Sequence, residues 1–296
     1  MKLHSQLGDR EKDYQFEYKS EEKKYKKAFP TFKDSGNKLS SFLKPKYLRQ
    51  SSAILDKRSN LNEISKDKII AFTKIQNYPV LNETIFEKFG FKIKGYCKKK
   101  KKIYFDLDNT LIFRLIPGLD YSDRIIYSDC TKEAFIKENG ILKSTSIIVR
   151  PFTSEILSGL YPYYEIICYT GATKAYAQEI LRIIDPSKKY FSYISYRCHC
   201  LLLNGNLVKD IKLIRNRAKE SSILIDNSIS CFYNCMDNSI FIKPFEGDCK
   251  DLELKKLMQF LLEIKDAPDV RIPIKKEYKL SEEFNTFKLV KQGKPI

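Results

Sequence analysis

The chain has 296 residues, of which 43% are hydrophobic, and this allows one substantial packed domain with extensions. No stretch approaches the roughly 20 uninterrupted apolar residues of a membrane-spanning helix. The N-terminus has neither the apolar core of a signal peptide nor the acid-poor composition of a mitochondrial presequence. These features predict a soluble intracellular protein.

The net charge of +17 is distributed unevenly along the chain. Residues 1–102 hold 26 Lys and Arg against 12 Asp and Glu (+14), residues 271–296 hold 7 against 3 (+4), and the remaining residues carry −1. The basicity therefore belongs to the flanks of a near-neutral domain. We predict a basic, largely disordered arm over 1–60, a basic linker with short helices over 61–102, a domain over 103–265 and a basic tail over 266–296.

From residue 103 onward, short apolar runs alternate with helical patterns. The runs predict buried strands over 103–107, 147–149, 165–169, 193–196, 223–225 and 240–242. The helical patterns cover 151–160, 172–184 and 250–264. Strands that return through helices make a parallel sheet, so we predict a doubly wound α/β fold. Residues 116–146 interrupt the alternation and predict a small inserted hairpin or lobe.

Polar residues follow several of these strands. Asp106 and Asp108 end the first strand, and Thr170, Lys209 and the pair Asp226-Asn227 end or follow later ones. In open parallel sheets, ligand sites gather at the carboxyl ends of the strands. Each signal alone has an ordinary structural explanation. Asp106 and Asp108, like Asp226-Asn227, could form a solvated turn, Thr170 could cap a helix, and Lys209 could lie on the surface. Their joint occurrence in one order favours a single site.

The motifs resemble the haloacid-dehalogenase superfamily and, more narrowly, its FCP/SCP family. That family, also called NLI-interacting factor, comprises phosphatases of the C-terminal domain of RNA polymerase II. The resemblance covers roughly residues 103–264. It is carried by four motifs: Asp106-Leu107-Asp108-Asn109-Thr110, Arg150-Pro151, Gly205-Asn206-Leu207-Val208-Lys209-Asp210 and Asp226-Asn227-Ser228.

The resemblance implies a Mg²⁺ cofactor held by the Asp106 carboxylate, the Asp108 backbone carbonyl and the Asn227 side chain. Asp226 belongs to the same metal site and orients either a metal-bound water or Lys209. Oxygen-only ligands suit magnesium rather than zinc. Asp106 would attack phosphorus and form an aspartyl phosphate. Asp108 would protonate the leaving oxygen and later deprotonate the hydrolytic water.

The resemblance also assigns the substrate contacts. Lys209 and the Thr170 hydroxyl would hold phosphate oxygens, while Thr110, Tyr176 and Arg197 are candidate substrate-binding residues. A core tyrosine and a surface arginine are the alternative interpretations of the last two. Two departures from the family pattern are Asn109 in place of an acidic residue and Ile229 in place of a proline. Because the insert at 116–146 is not family-like in sequence, the substrate is left open.

The basic flanks and the cysteines give weaker signals. The five lysines at 98–102 fit a nuclear-import signal, a phosphate-binding patch or a solvated run, so we expect a nuclear location and otherwise a cytoplasmic one. The arm would attract phosphorylated peptides, nucleic acid or an anionic membrane. Cys198-His199-Cys200 does not predict zinc, because on a strand these side chains would face opposite sides.

Three functional hypotheses follow. The first is a Mg²⁺-dependent serine/threonine phosphatase acting on phosphopeptides such as the polymerase tail. The second keeps the chemistry but acts on a nucleic-acid 3′-phosphate. The third is a non-catalytic adaptor resembling the mitochondrial translocase subunit of this fold. The sequence indicates no oligomeric state.

Overall fold

A computed structural model of the chain describes residues 64–93, 101–115, 131–138 and 141–293. The predictions for the arm at 1–60, for lysines 98–100 and for residues 116–130 of the insert lie outside the described residues. No helix in the described part of the chain is long and apolar enough to cross a bilayer.

The described strands fall into three sheets. In chain order they are β1 (Lys101–Phe105), β2 (Ile112–Arg114), β3 (Thr131–Glu138), β4 (Ile141–Val149), β5 (Tyr164–Tyr169), β6 (Phe191–Ser195), β7 (Leu201–Leu203), β8 (Asn206–Val208), β9 (Ser222–Asp226) and β10 (Ser239–Phe241). The largest sheet has the order β10-β9-β1-β5-β6, and every pair in it is parallel. This confirms the predicted α/β fold with a central parallel sheet.

Seven α-helices accompany these strands in the described residues. They are α1 (Lys66–Ile75), α2 (Glu83–Phe89), α3 (Thr153–Leu160), α4 (Lys174–Ile184), α5 (Glu253–Glu263), α6 (Arg271–Tyr278) and α7 (Leu280–Lys291). Helix α4, which borders the candidate site, begins at a side-chain cap, because the Thr173 hydroxyl accepts from the backbone N–H of Tyr176. Helices α1 and α2 lie within the segment described above as a basic linker.

The apolar run at 147–149 is part of a strand, as predicted, but this strand does not belong to the parallel sheet, as its place among the other predicted strands indicated. It forms the end of β4, the middle strand of an antiparallel sheet with the order β2-β4-β3. Strand β4 is buried only towards its end, where Ile147 and Ile148 pack into the core. In the amino-acid sequence, a short buried run of this kind has the same pattern whether it belongs to a parallel or to an antiparallel sheet. Strands β3 and β4 form the inserted hairpin, and helix α4 packs against β3.

The segment from 266 onward contains packed structure, although its composition suggested a tail. Val270 and Ile274 are fully buried around the start of α6, and Phe284 and Phe287 of α7 contact Phe72 of α1 at ring-centroid distances of 5.2 and 5.8 Å. Lysines on the exposed faces of these helices produce the basic composition. The domain therefore continues beyond the boundary drawn at 265.

Candidate active site

Asp106, Lys209 and Asp226 meet in one buried ion cluster at the carboxyl edge of the central sheet. Strands β1 and β9 are parallel neighbours, with Phe105 opposite Ile225, so Asp106 and Asp226 leave the sheet side by side. Lys209 follows β8 directly and is only 3% exposed. Its Nζ lies 2.6 Å from Oδ1 of Asp106 and 2.5 Å from Oδ2 of Asp226.

The charged groups in this cluster shift one another's pKa values. Burial raises the pKa of Asp106 to about 7, and the Lys209 ammonium opposes that rise. Burial also lowers the pKa of Lys209, but the two carboxylates outweigh it and hold that pKa well above its ordinary value. Lys209 is therefore a fixed cation. The second oxygen of Asp226, Oδ1, accepts from the Ser228 N–H at 2.7 Å. Because both oxygens of Asp226 contact protein donors, its geometry suits positioning Lys209.

Asp108 lies two residues further along and has a different environment. The hydroxyl of Tyr176 on α4 donates to Oδ1 of Asp108 over 2.5 Å. Burial raises the pKa of Asp108, while the Tyr176 hydrogen bond and the charges of Arg114, Lys209 and Arg197 lower it. Burial and the nearby Asp108 raise the pKa of Tyr176, so its hydroxyl stays protonated as the donor. Tyr176 is thus both a core residue, 7% exposed, and a contact of Asp108.

Asn109 shapes the loop that carries both aspartates. Its φ of 59° lies in the left-handed region, which asparagine tolerates better than most residues with a side chain. Its N–H donates to the Ile112 carbonyl, and its own carbonyl accepts from the Phe245 N–H, each over 2.7 Å. The asparagine at this position is therefore compatible with the backbone conformation of the loop.

The remaining predicted residues line the same edge. The Thr110 hydroxyl donates to Oδ1 of Asn227 at 3.3 Å, which links the loops after β1 and β9. The Thr170 hydroxyl oxygen accepts from the Ala172 N–H, and this leaves its proton available to a ligand. Arg197 Nε donates to the Gly171 carbonyl at 2.7 Å, directly beside Thr170. Thr170 does not cap α4, since Thr173 does so.

Arg150 supports the loop that carries Asp106 and Asp108, a contact that the sequence alone did not reveal. Its side chain is fully buried and forms a two-point contact with Asp251, with Nε–Oδ1 at 2.9 Å and Nη2–Oδ2 at 2.8 Å. Its Nη1 donates to the Thr110 carbonyl at 3.1 Å, and its Nη2 donates to the Lys243 carbonyl. Asp251 lies 101 residues from Arg150 in the chain, and no local pattern marks it.

Cys198 and His199 lie in a short 3₁₀ helix over Arg197–His199, and Cys200 follows it directly. The motif is not on a strand, so the argument that its side chains face opposite sides of a strand does not apply. His199 Nδ1 accepts from the Tyr196 N–H at 3.0 Å, and the ring packs against Phe91 with 4.5 Å between centroids and the two planes tilted by 48°. Within the described residues, no group of three or more His, Cys, Asp and Glu side chains is arranged to hold a metal. A site built from one carboxylate, a backbone carbonyl and an amide does not require such a group.

Comparison with known proteins identifies the family to which the chain belongs. The family model described as NLI interacting factor-like phosphatase matches residues 101–271. The chain belongs to this family of haloacid-dehalogenase-type phosphatases, which confirms the resemblance inferred from the motifs.

Several curated relatives are similar to the chain. It is 27% identical over 227 residues to CTD small phosphatase-like protein 3 of Caenorhabditis elegans, covering 75% of each protein. It is 30% identical over 190 residues to CTD small phosphatase-like protein 2 of Dictyostelium discoideum, covering 63% of the chain and 31% of that protein. It is 36% identical over 131 residues to the mitochondrial import inner membrane translocase subunit TIM50 of Yarrowia lipolytica, covering 44% and 28%.

Among solved structures, the chain is similar to the fission yeast RNA polymerase II CTD phosphatase Fcp1 bound to beryllium fluoride. The sequences are 21% identical, the TM-score is 0.41, and the match covers 65% of this chain and 62% of that one.

Proposed function

We propose that this chain is a Mg²⁺-dependent phosphatase that uses Asp106 as nucleophile and acts on phosphoserine or phosphothreonine in peptides. The observation that carries the proposal is the contact of Lys209 with Asp106 and Asp226, at 2.6 and 2.5 Å, in a member of a phosphatase family. A buried lysine beside a carboxylate at the edge of a parallel sheet suits the binding of a phosphate dianion.

The reaction has two steps. In the first, a carboxylate oxygen of Asp106 bonds to phosphorus, the ester P–O bond breaks, and Asp108 gives its proton to the leaving serine or threonine oxygen. In the second, a water oxygen bonds to phosphorus and the bond to Asp106 breaks, while Asp108 takes the water proton. Inorganic phosphate then leaves. Help of this kind from Asp108 is typically worth ~10²–10⁴ in rate.

The donor set fits Mg²⁺ because it contains only oxygen: the Asp106 carboxylate, the Asp108 backbone carbonyl and the Asn227 amide oxygen. The hydrogen bond from Thr110 to Asn227 would hold that amide in a fixed orientation. When bound, Mg²⁺ would offset the charge of the phosphate and lower the pKa of Asp106. Lys209, the Thr170 hydroxyl and Arg197 would supply the remaining contacts to phosphate oxygens.

The proposed substrate class is phosphorylated protein. Two of the relatives are named CTD small phosphatase-like proteins, which favours peptides resembling the C-terminal domain of RNA polymerase II. A nuclear location would agree with such a substrate and with the lysine run before β1. The basic arm would add electrostatic attraction to phosphorylated chains or nucleic acid.

Removal of magnesium tests the proposal. We expect excess chelator to lower hydrolysis of a small aryl phosphate and of a phosphoserine peptide by at least ~10²-fold, with recovery on addition of Mg²⁺. Phosphate release from full-length protein is the measurement, and a 3′-phosphorylated oligonucleotide is assayed in parallel. Undiminished turnover in chelator would contradict the metal assignment. If the oligonucleotide is hydrolysed faster than the peptide, the proposed substrate becomes a nucleic-acid 3′-phosphate instead of a phosphopeptide.

A second candidate function is a non-catalytic adaptor, favoured by the similarity to a translocase subunit at 36% identity over 131 residues. The direct contact of Lys209 with Asp106 and Asp226, and the position of Asp108 two residues after Asp106, argue for catalysis, because a binding role does not require this arrangement. Peptide binding without turnover of any phosphoester, in the presence of Mg²⁺, would favour the adaptor.

A further inference from the structure

Arg114 is a cation beside the candidate site that the mechanism above does not use. It is the last residue of β2, six residues after Asp108, and its side chain is exposed. The guanidinium is nevertheless held on two sides. Its Nε donates to the hydroxyl of the buried Thr145 at 3.1 Å, and its Cζ lies 5.6 Å from the centre of the Tyr176 ring.

The Tyr176 ring links this guanidinium to the reacting groups, because the hydroxyl of the same ring donates to Asp108. Arg114 is also the first among the cations that lower the pKa of Asp108, ahead of Lys209 and Arg197, so its field reaches the site. An anion bound by Arg114 would therefore lie beside the Tyr176–Asp108 pair of the candidate site.

The neighbouring cations are already engaged. Lys209 contacts two carboxylates, and Arg150 contacts Asp251. Among residues that the structure describes, no carboxylate forms a salt bridge with Arg114. A guanidinium with its Nε fixed presents its remaining N–H groups as a preorganised fork for a carboxylate or phosphate.

We propose that Arg114 binds an anionic side chain of the substrate, a carboxylate or a second phosphate, within one or two residues of the phosphorylated residue. This inference rests on the proposed phosphopeptide substrate and specifies its sequence context. An extended peptide advances about 3.3 Å per residue, so a residue at that separation can reach the guanidinium while the phosphoryl group is in the site. The anion makes a charge-assisted contact that a neutral side chain cannot make.

The test measures peptide affinity without requiring turnover. Full-length Asp106→Asn protein is titrated, by fluorescence anisotropy, with phosphoserine peptides in which the neighbouring residues on either side are Glu, phosphoserine or Gln. We expect the Glu or the phosphoserine peptide to bind about tenfold more tightly than the Gln peptide. Adding Arg114→Met should bring that ratio to about one. The matched control, Arg182→Met, changes an exposed arginine of α4 and should leave the ratio at about ten.

The outcomes separate this inference from the proposed function. An unchanged ratio in Arg114→Met, no preference in the parent protein, or no binding of any peptide would each overturn the role of Arg114. The comparison between the Glu and phosphoserine peptides identifies which anion is preferred. If the preference depends on Arg114 but wild-type protein hydrolyses none of the peptides, the role of Arg114 stands and the phosphatase proposal fails.

Discussion

Asp106→Asn is expected to lower kcat/KM for a phosphopeptide by at least ~10³-fold, because the amide cannot attack phosphorus. The substitution removes one of the two carboxylates at Lys209 but leaves the Lys209–Asp226 contact, so the fold should persist. Steady-state phosphate release measures the effect. The urea midpoint of the same protein checks that it remains folded.

The control for this experiment is Asp266→Asn, which makes the same chemical change at an exposed carboxylate paired with Lys265. It should retain wild-type turnover. Residual activity of Asp106→Asn above about a tenth of wild type, in protein that is folded, would remove Asp106 from the role of nucleophile. Loss of activity in the control would point instead to a general effect of charge.

Arg150→Met is expected to lower the free energy of unfolding by about 3–5 kcal/mol, because it leaves the Asp251 carboxylate, whose side chain is only 11% exposed, without its cationic partner. It also frees the carbonyls of Thr110 and Lys243, which Arg150 holds together. Since Thr110 belongs to the loop that carries Asp106 and Asp108, turnover should fall as well. Urea denaturation of the variant and the wild type is the measurement.

Lys256→Met is the matched control, since it breaks an exposed ion pair with Glu253 on helix α5. Exposed pairs of this kind contribute about 0.3–0.5 kcal/mol, so its urea midpoint should barely move. A loss below about 1 kcal/mol in Arg150→Met would mean that the two-point contact with Asp251 does not support the loop as argued.

The strand ends that carry the site could be predicted because each polar residue follows a short apolar run. Asp106 follows β1 and Asp226 ends β9, and the rule for parallel sheets places both at one edge. Their direct contact with Lys209 depends on β1 and β9 being neighbours in the sheet. The order of strands in the sheet differs from their order along the chain, so this contact could not be predicted. The roles assigned to these residues remain predictions.

Other features escaped the sequence because long-range packing determines them. The run at 147–149 is as apolar as a strand of the central sheet, yet it pairs antiparallel with β2 and β3. Tyr176 lies on the apolar face of α4, and only the fold reveals that its hydroxyl reaches Asp108. Contacts between Arg150 and Asp251, or between Arg114 and Tyr176, join distant parts of the chain that no local pattern connects.

Direct detection of a phosphoryl group on Asp106 tests the central claim. In Asp108→Asn protein, an aryl phosphate with a good leaving group can still transfer its phosphoryl group, whereas hydrolysis of the acyl phosphate is slowed for lack of the base. The phosphoryl group of the aryl phosphate is isotopically labelled. After acid quench and proteolysis, we expect this labelled phosphoryl group on the peptide that contains Asp106. A labelled phosphoryl group on another residue would contradict the account. So would turnover by folded Asp106→Asn protein at the wild-type rate.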